Sequence, residues 1–396
     1  METKQNNAAY GGSFDLPTNG HLWVIRTAAP RYEHLTVFVA KNAGKNPRFS
    51  IDERVRVLEA ATADIPNVTV VALPEDVFLV EAACQAGAST LIRGIRTSAD
   101  FQSEYNLAVV NRQIRPEVET VLLVPPPTLS SLSSSTVMGM VGVNGWEKVV
   151  ESLVPEATFD ALEERQAEAF VTRYVRQWLS APLRHCNGGS FDPVLLDDII
   201  DEVVTAHAEP HRRHHRIAHV ANVLRALGDQ PAPELLMAML YHDSVFVVTP
   251  EGKTDPMNER GSAEKCEAAA RRAGFGDETV SRAKAFIMAT AEHLLPSPEL
   301  SDNVRNLALD ADLSVFGDDE QSYRRYARRI RQEHGAVPHD EFVAARLSFL
   351  RRLRERPTIG ERRSIFRTDF FFSLYEPAAQ RNIAAEIALL ESGQTM

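Results

Sequence analysis

Short apolar segments alternate with helical ones through the first third of the 396-residue chain, and that alternation leaves few folds open. Strand-like runs at Asn6–Tyr10, His34–Ala40, Val68–Leu73, Ser89–Ile92 and Glu119–Val124 are separated by helical patterns. The helical patterns cover Ser50–Ala63, where Ser50 and Glu53 form a capping box, then Val77–Ala86 and Ala99–Gln113. This order predicts an α/β fold, a parallel sheet covered by helices on both faces. In such a sheet ligands bind beyond the carboxyl ends of the strands. From about Phe191 the pattern changes to successive amphipathic helices, among them Pro193–Ala208, Arg212–Ala226, Pro233–Tyr241, Ser262–Ala273, Asp277–Glu292, Asp302–Leu309, Ser322–His334 and Asp340–Arg354. The expected organisation is a first domain over 1–165, a helix and linker over 166–190, and an all-α domain over 191–396. Within the linker, Ala181–Ser190 is rich in Pro, Gly and Asn.

Behind the first strand stands Gly11-Gly12-Ser13-Phe14-Asp15-Leu16-Pro17-Thr18-Asn19-Gly20-His21. Two glycines would let the backbone approach a ligand, and Thr18 is placed to cap the helix that follows. His21 then lies in the first turn, where free N–H groups and the helix dipole favour phosphate. Gly188-Gly189-Ser190-Phe191-Asp192-Pro193 nearly repeats the motif without the histidine. Asp192 and Pro193 make that copy a helix start.

Charge narrows the partners. A net charge of −11 argues against a general nucleic-acid binder, which needs a basic face to displace counterions. The three cysteines, Cys84, Cys186 and Cys266, are widely spaced with no C-x-x-C pair, as expected of a reduced cytoplasmic protein. No run reads as a signal peptide or a membrane span. Nine of the 12 histidines lie between His207 and His339, so the two halves are expected to differ in chemistry.

Four motifs of the first half belong together. They are Thr18-Asn19-Gly20-His21 with its glycine-rich lead, Lys45 in Gly44-Lys45-Asn46-Pro47, Arg93-Gly94-Ile95-Arg96 with Ala99-Asp100-Phe101, and Ser133-Ser134-Ser135. In this order and spacing they closely resemble the bacterial phosphopantetheine adenylyltransferases over roughly residues 8–161. The resemblance implies a Rossmann-like nucleotidyltransferase fold and transfer of the adenylyl group of ATP to 4′-phosphopantetheine. It implies that His21, supported by Thr18, stabilises the transition state at the α-phosphate, and that Lys45, Arg93 and Ser13 hold the attacking phosphate. Leu79 would line the acceptor side. Phe14, Gly94, Arg96, Glu104 and Ser133–Ser135 would contact the nucleotide, with Mg2+ carried by the triphosphate. A homo-oligomer is expected as well. Another phosphorylated acceptor is the alternative reading.

In the second half His211, His215 and His219 recur every four residues and are expected on one helix face. Tyr241-His242-Asp243, Glu292-His293 and Asp310-Ala311-Asp312-Leu313-Ser314 follow. Mixed imidazole and carboxylate in this order suits a divalent metal. The set resembles the HD superfamily of metal-dependent phosphohydrolases over roughly residues 193–390. The resemblance implies His219, His242, Asp243 and Asp312 as ligands of a transition metal, Mg2+ or Mn2+, and His215 as the proton donor to the leaving group. Asp312 is preferred to Asp310 because the family's Asp-Leu-Ser pattern begins there. His293 is a candidate to orient substrate or a second metal, and Glu259 a weaker candidate beside the ligands. The phosphate-containing substrate is left open, and a non-hydrolytic regulatory domain is the alternative.

Overall fold

A computed structural model describes residues 7–41, 47–130, 132–229, 231–291, 293, 303–355, 357–359 and 362–394. The chain forms two compact units, residues 1–163 and 164–396. Among the described residues no helix is long and apolar enough to cross a membrane.

The first unit is a five-stranded parallel sheet in the order β3-β2-β1-β4-β5. Its strands are β1 (Ala8–Gly12), β2 (Leu35–Val39), β3 (Val68–Ala72), β4 (Thr90–Gly94) and β5 (Glu119–Leu123). The helices are α1 (Asn19–Ala28), α2 (Ile51–Thr62), α3 (Leu79–Gln85), α4 (Ser98–Ile114), α5 (Pro127–Ser130), α6 (Ser134–Met140) and α7 (Trp146–Val150). Burial follows position in the sheet. All five residues of β2 are buried, whereas the edge strand β5 buries none completely. The first strand extends two residues further than its polar start suggested, because Gly11 and Gly12 pair with Phe38 and Val39. The strand order reverses between β1 and β4, which places the switch-point crevice beyond Gly12 and Gly94.

The boundary between the units falls inside one helix, α8 (Glu156–Cys186). The expected linker at 166–190 is therefore helical for most of its length. Val171, Val175, Leu179 and Leu183 fall at intervals of four, forming an apolar stripe buried in the second unit's core. Pro182 lies inside the helix, and the Gly and Asn content marks only the turn after Cys186, where Gly188 and Gly189 take positive φ.

The second unit is helical apart from a short antiparallel pair, β6 (Pro357–Ile359) and β7 (Arg362–Arg363). It contains α9 (Val194–His207), α10 (Ile217–Leu227), α11 (Pro233–Tyr241), α12 (Asn258–Arg272) and α13 (Asp277–Thr290). After these come α14 (Asn303–Asp312), α15 (Glu320–Glu333), α16 (His339–Glu355) and α17 (Asp369–Glu391). The central helix is α11, buried from Leu235 through Tyr241 and packed against α10, α12, α13 and α14. Its all-round apolar sequence suits a helix surrounded by others. The last helix, α17, has Pro377 inside it and was not among the expected elements. Asp192 Oδ1 accepts from Val194 N–H at 3.0 Å, so the near-copy of the glycine motif is a helix start.

Because Leu179 is fully buried in the second unit, Leu179→Ala should destabilise that unit by about 2–5 kcal/mol. A solvent-exposed linker would show no such loss in a denaturant titration.

Candidate functional site

In the first unit Thr18 is the N-cap of α1 and His21 its third residue. The backbone N–H of Thr18 donates to His21 Nδ1 at 3.0 Å, and the Thr18 hydroxyl lies 3.1 Å from the same nitrogen. A backbone N–H can only donate, so Nδ1 is unprotonated and the ring's proton sits on Nε2. The arrangement is a capping box in which His21 replaces the usual Glu. Burial, with the nearby cation of Arg96, pushes the His21 pKa down to about 4. His21 is thus a neutral imidazole with its proton on Nε2, and it lines a cavity with Tyr10, Gly94, Arg96 and Leu132.

The neighbouring residues are held tightly. Arg93 donates to both oxygens of Glu104, at 2.6 and 2.7 Å, and to the Gly11 carbonyl at 2.6 Å. Burial disfavours its charge, but Glu104 more than offsets this and raises the guanidinium pKa. Glu104 is therefore paired with Arg93 rather than turned to a nucleotide. Arg96 bonds the Leu132 carbonyl and lies 3.6 Å from Asp100. Ser133 Oγ caps α6 by accepting from Thr136 N–H at 3.0 Å, and Ser134 Oγ donates to the Leu16 carbonyl at 2.7 Å. Ser135 is exposed. Lys45 lies outside the described residues.

The two glycines serve packing. A Cβ at Gly11 would stand 2.4 Å from the side chain of Leu79, and one at Gly12 would stand 3.0 Å from the ring of Phe14. Phe14 has φ 44, buries its ring against Tyr10, and meets His21 edge-on with ring centres 5.2 Å apart. The close approach expected of a ligand is made by these two side chains.

Two further residues hold this loop. Arg54 is buried, and its guanidinium donates to the carbonyls of Ser13, Ala40 and Ser50. Asp15 accepts from the N–H groups of Arg48 and Phe49 at 3.0 and 3.1 Å. Neither was singled out in the sequence, yet Arg54, Leu58 and Thr62 form the buried edge of α2 at intervals of four. An arginine on an apolar stripe was the available signal.

In the second unit the histidine stripe is not helical. The helix α10 starts at Ile217, so only His219 belongs to it. The preceding turn is held by Glu333, whose Oε1 accepts from the N–H groups of Arg213, His214 and His215 at 2.7, 2.7 and 3.0 Å. Consecutive N–H groups converging on one oxygen form a nest, and their bonds to Glu333 take the place of the i to i−4 bonds of a helix interior. The buried Arg212 completes the turn by donating to the carbonyls of His215 and Asp243. His211 instead bonds the Phe246 carbonyl through Nε2 at 2.7 Å. His215 Nδ1 reaches Glu333 Oε2 at 2.8 Å, and its ring stacks on Phe246. Burial opposes a charged His215, but the Glu333 carboxylate raises its pKa.

His219, His242, Asp243 and Asp312 each direct one donor atom to a common point, all within 4.8 Å of one another. His219 Nε2 lies 3.0 Å from His242 Nε2 and 3.1 Å from Asp312 Oδ1, and His242 Nε2 lies 3.0 Å from Asp243 Oδ2. Ligands at right angles around a cation with bonds of about 2.1 Å stand about 3.0 Å apart, so the set fits a divalent ion. The chemistry agrees. His242 Nδ1 donates to the Met239 carbonyl at 3.0 Å, which leaves the Nε2 lone pair aimed at the cluster in the neutral ring. With protein charges alone, burial opposes ionisation throughout, yet Asp243 and Asp312 are held well below the carboxylate range and His242 is pushed up by them. The cluster could hold a metal ion. His293 Nε2 meets the other oxygen of Asp312 at 2.7 Å, and Glu259 lines the same cavity.

The two aspartates of the Asp-Ala-Asp run part company. Asp310 is fully buried and accepts from the N–H groups of Arg367 and Thr368 and from the Thr368 hydroxyl. It anchors the N-terminus of α17 and takes no part in the cluster.

Comparison with known proteins bears on the first unit. The cytidylyltransferase-like family matches residues 9–139. The phosphopantetheine adenylyltransferase of Chromobacterium violaceum is 40% identical over 152 residues, which are 38% of this chain and 92% of the relative. That of Neisseria meningitidis serogroup C is 38% identical over 162 residues, 41% of this chain and 95% of the relative. That of Caldanaerobacter subterraneus is 39% identical over 158 residues, 40% of this chain and 96% of the relative. Through its first unit the chain belongs to the phosphopantetheine adenylyltransferase family. These adenylyltransferase matches span about two fifths of the chain, so the helical unit is an addition to them.

Measurements on both units check the geometry. In nitrogen-detected NMR, His21 of the adenylyltransferase unit should show the Nε2–H tautomer and titrate near 4 rather than 6.5. The unfolded chain takes up this proton first as pH falls, so His21 makes the unit lose stability between about 6.5 and 4. In the second unit Asp310→Ala should cost about 3 kcal/mol and lower the melting temperature by about 6–12 °C. Asp312→Ala should keep a cooperative melt and lose stoichiometric Mn2+ uptake, measured by metal analysis.

Proposed function

We propose that the first unit transfers the adenylyl group of ATP to 4′-phosphopantetheine, forming dephospho-coenzyme A and pyrophosphate. The observation that carries this reading is the neutral His21, locked by Thr18 at the N-terminus of α1 with Nε2–H free to donate. Family membership supplies the acceptor. A phosphate oxygen of 4′-phosphopantetheine attacks the α-phosphorus, a P–O bond forms, and the bond to the pyrophosphate leaving group breaks. Charge grows on the α-phosphate oxygens as this happens. His21 Nε2–H and the first-turn N–H groups of α1 stabilise that charge, and a fixed donor does so without reorganising. Mg2+ arrives with ATP and offsets the charge of the triphosphate.

The remaining roles follow the pattern of the family. Three of the five guanidinium N–H groups of Arg93 are used by Glu104 and Gly11, which leaves two for the attacking phosphate, beside Ser13 and Lys45. Arg96 and Ser133–Ser135 take the β- and γ-phosphates. Leu79 borders the acceptor side. Self-association fits α4, which buries none of its 17 residues and exposes Phe101, Tyr105 and Val109 at intervals of four. An apolar stripe of that kind needs a cover, and a second copy of the chain supplies it.

For the second unit we propose metal-dependent phosphate-ester hydrolysis. The cluster of His219, His242, Asp243 and Asp312 supports it, and a divalent cation there would polarise a phosphoryl oxygen and acidify water. His215, oriented by Glu333, would give a proton to the leaving group.

With ATP and 4′-phosphopantetheine the protein should release pyrophosphate, and His21→Ala should slow this about 10²–10³-fold. Turnover with a different phosphorylated acceptor, and none with 4′-phosphopantetheine, would reject the acceptor.

A further inference from the structure

The cavity above the metal-ligand cluster has a volume of about 190 Å³. At roughly 30 Å³ per water that is room for about six waters, below the usual range for a drug-sized ligand. One end is polar, formed by His215, His219, Asp243 and Asp312. The lining also includes the aromatic residues Phe316, Tyr326 and Phe349.

That aromatic wall is clamped by a residue that does not itself line the cavity. The guanidinium carbon of Arg346 lies 5.9, 5.2 and 5.7 Å from the ring centres of Phe316, Tyr326 and Phe349. Arg346 also donates to Tyr326 Oη at 3.2 Å and to both oxygens of Glu386, at 2.8 and 3.1 Å. Both ionic partners are buried. A buried ion pair of this kind costs much desolvation and returns fixed geometry. Because the rings already face one cation from behind, their cavity side suits an uncharged planar group better than a second cation.

Charge sets the other limit. Among the described lining residues there is no Lys or Arg, while Asp243, Glu259 and Asp312 contribute three carboxylates. A divalent ion offsets two of those charges. Sites for nucleoside polyphosphates supply Lys, Arg or backbone cradles for the extra phosphates. A phosphomonoester brings only two negative charges, both on the group that meets the metal end.

We propose that the second unit accepts a small phosphomonoester carrying one uncharged planar group, seated against Phe316, Tyr326 and Phe349, and that it excludes nucleoside di- and triphosphates. This rests on the hydrolytic reading of the cluster given above. In the reaction a water oxygen bonds to phosphorus as the ester P–O bond breaks. One water proton ends on the departing alcohol, with His215 placed to deliver it, and the other remains on the hydrogen phosphate product.

The full chain loaded with Mn2+ is titrated with phenylphosphonate, which cannot be hydrolysed at an ester bond, and with methylphosphonate. The His242→Ala protein serves as the blank, which subtracts binding by the first unit. Phenylphosphonate should bind at least 10-fold more tightly than methylphosphonate, and Phe349→Ala should remove that preference while Mn2+ uptake reports an intact site. Equal binding of the two phosphonates, or a preference that survives Phe349→Ala, overturns the proposal. Phosphate release from phenyl phosphate and from ATP is then compared, again against His242→Ala. Selective phenylphosphonate binding without hydrolysis of phenyl phosphate keeps the ligand class and rejects the hydrolytic reading. Hydrolysis of ATP with a kcat/KM equal to or above that for phenyl phosphate rejects the ligand class and keeps the hydrolytic reading.

Discussion

A carboxylate that receives backbone N–H donors holds each irregular segment on which the two sites depend. Asp15 does this for Arg48 and Phe49, beside the glycine-rich loop. Glu333 does it for the turn at Arg213–His215, Asp310 for the entry to α17, and Glu376 for Ile365 and Phe366. Helices and strands satisfy their own backbone groups, whereas a turn near a site must find partners or pay for burying bare donors. A charged acceptor makes a stronger bond than a carbonyl and can gather several donors at one atom. The positions of His215 and of the Ser13–Thr18 loop are thereby set by residues that never meet a substrate.

Those residues were the least legible in the sequence. The parallel sheet followed from alternation, and the four motifs of the first unit led to the switch point because strand ends are where such a sheet can bind anything. The cluster of His219, His242, Asp243 and Asp312 was equally readable, since imidazole and carboxylate recurring in order stand out from their surroundings. Glu333 and Arg54 gave no such signal, because a single charged residue in a helix reads as a solvated face. Each nonetheless sits among apolar neighbours of its helix, Glu333 seven residues after Tyr326 and Arg54 four before Leu58. The histidine spacing misled for a related reason. Intervals of four at His211, His215 and His219 fit a helix, but three N–H groups bound to Glu333 are stronger evidence of a turn than periodicity is of a helix.

The long helix α8 shows a different limit. Composition near Ala181–Ser190 suggested a connection, while the stripe Val171, Val175, Leu179 and Leu183 carries the helix into the second core. Apolar periodicity reports burial and outweighs local Pro and Gly content when the two disagree, since burying each such side chain is worth about 1.5–3 kcal/mol.

The two units present opposite charge inventories, cationic in the first and anionic in the second. The first unit offers Arg93, Arg96, a helix N-terminus and a neutral histidine. Burial, helped by the Arg96 cation, keeps His21 neutral, so the state of that imidazole depends in part on its cationic neighbour. In the second unit the protein contributes carboxylates and imidazoles, a set that repels phosphate until a cation is bound. An arginine placed beside Asp243 and Asp312 would pair with them and compete with the ion, just as Glu104 occupies Arg93. Among the described residues lining the cavity beside the cluster there is no Lys or Arg, and Arg346, which does not line it, is paired with Glu386. Adenylyl transfer and metal-assisted hydrolysis thus impose incompatible charge inventories, which a chain can satisfy together by building two cores.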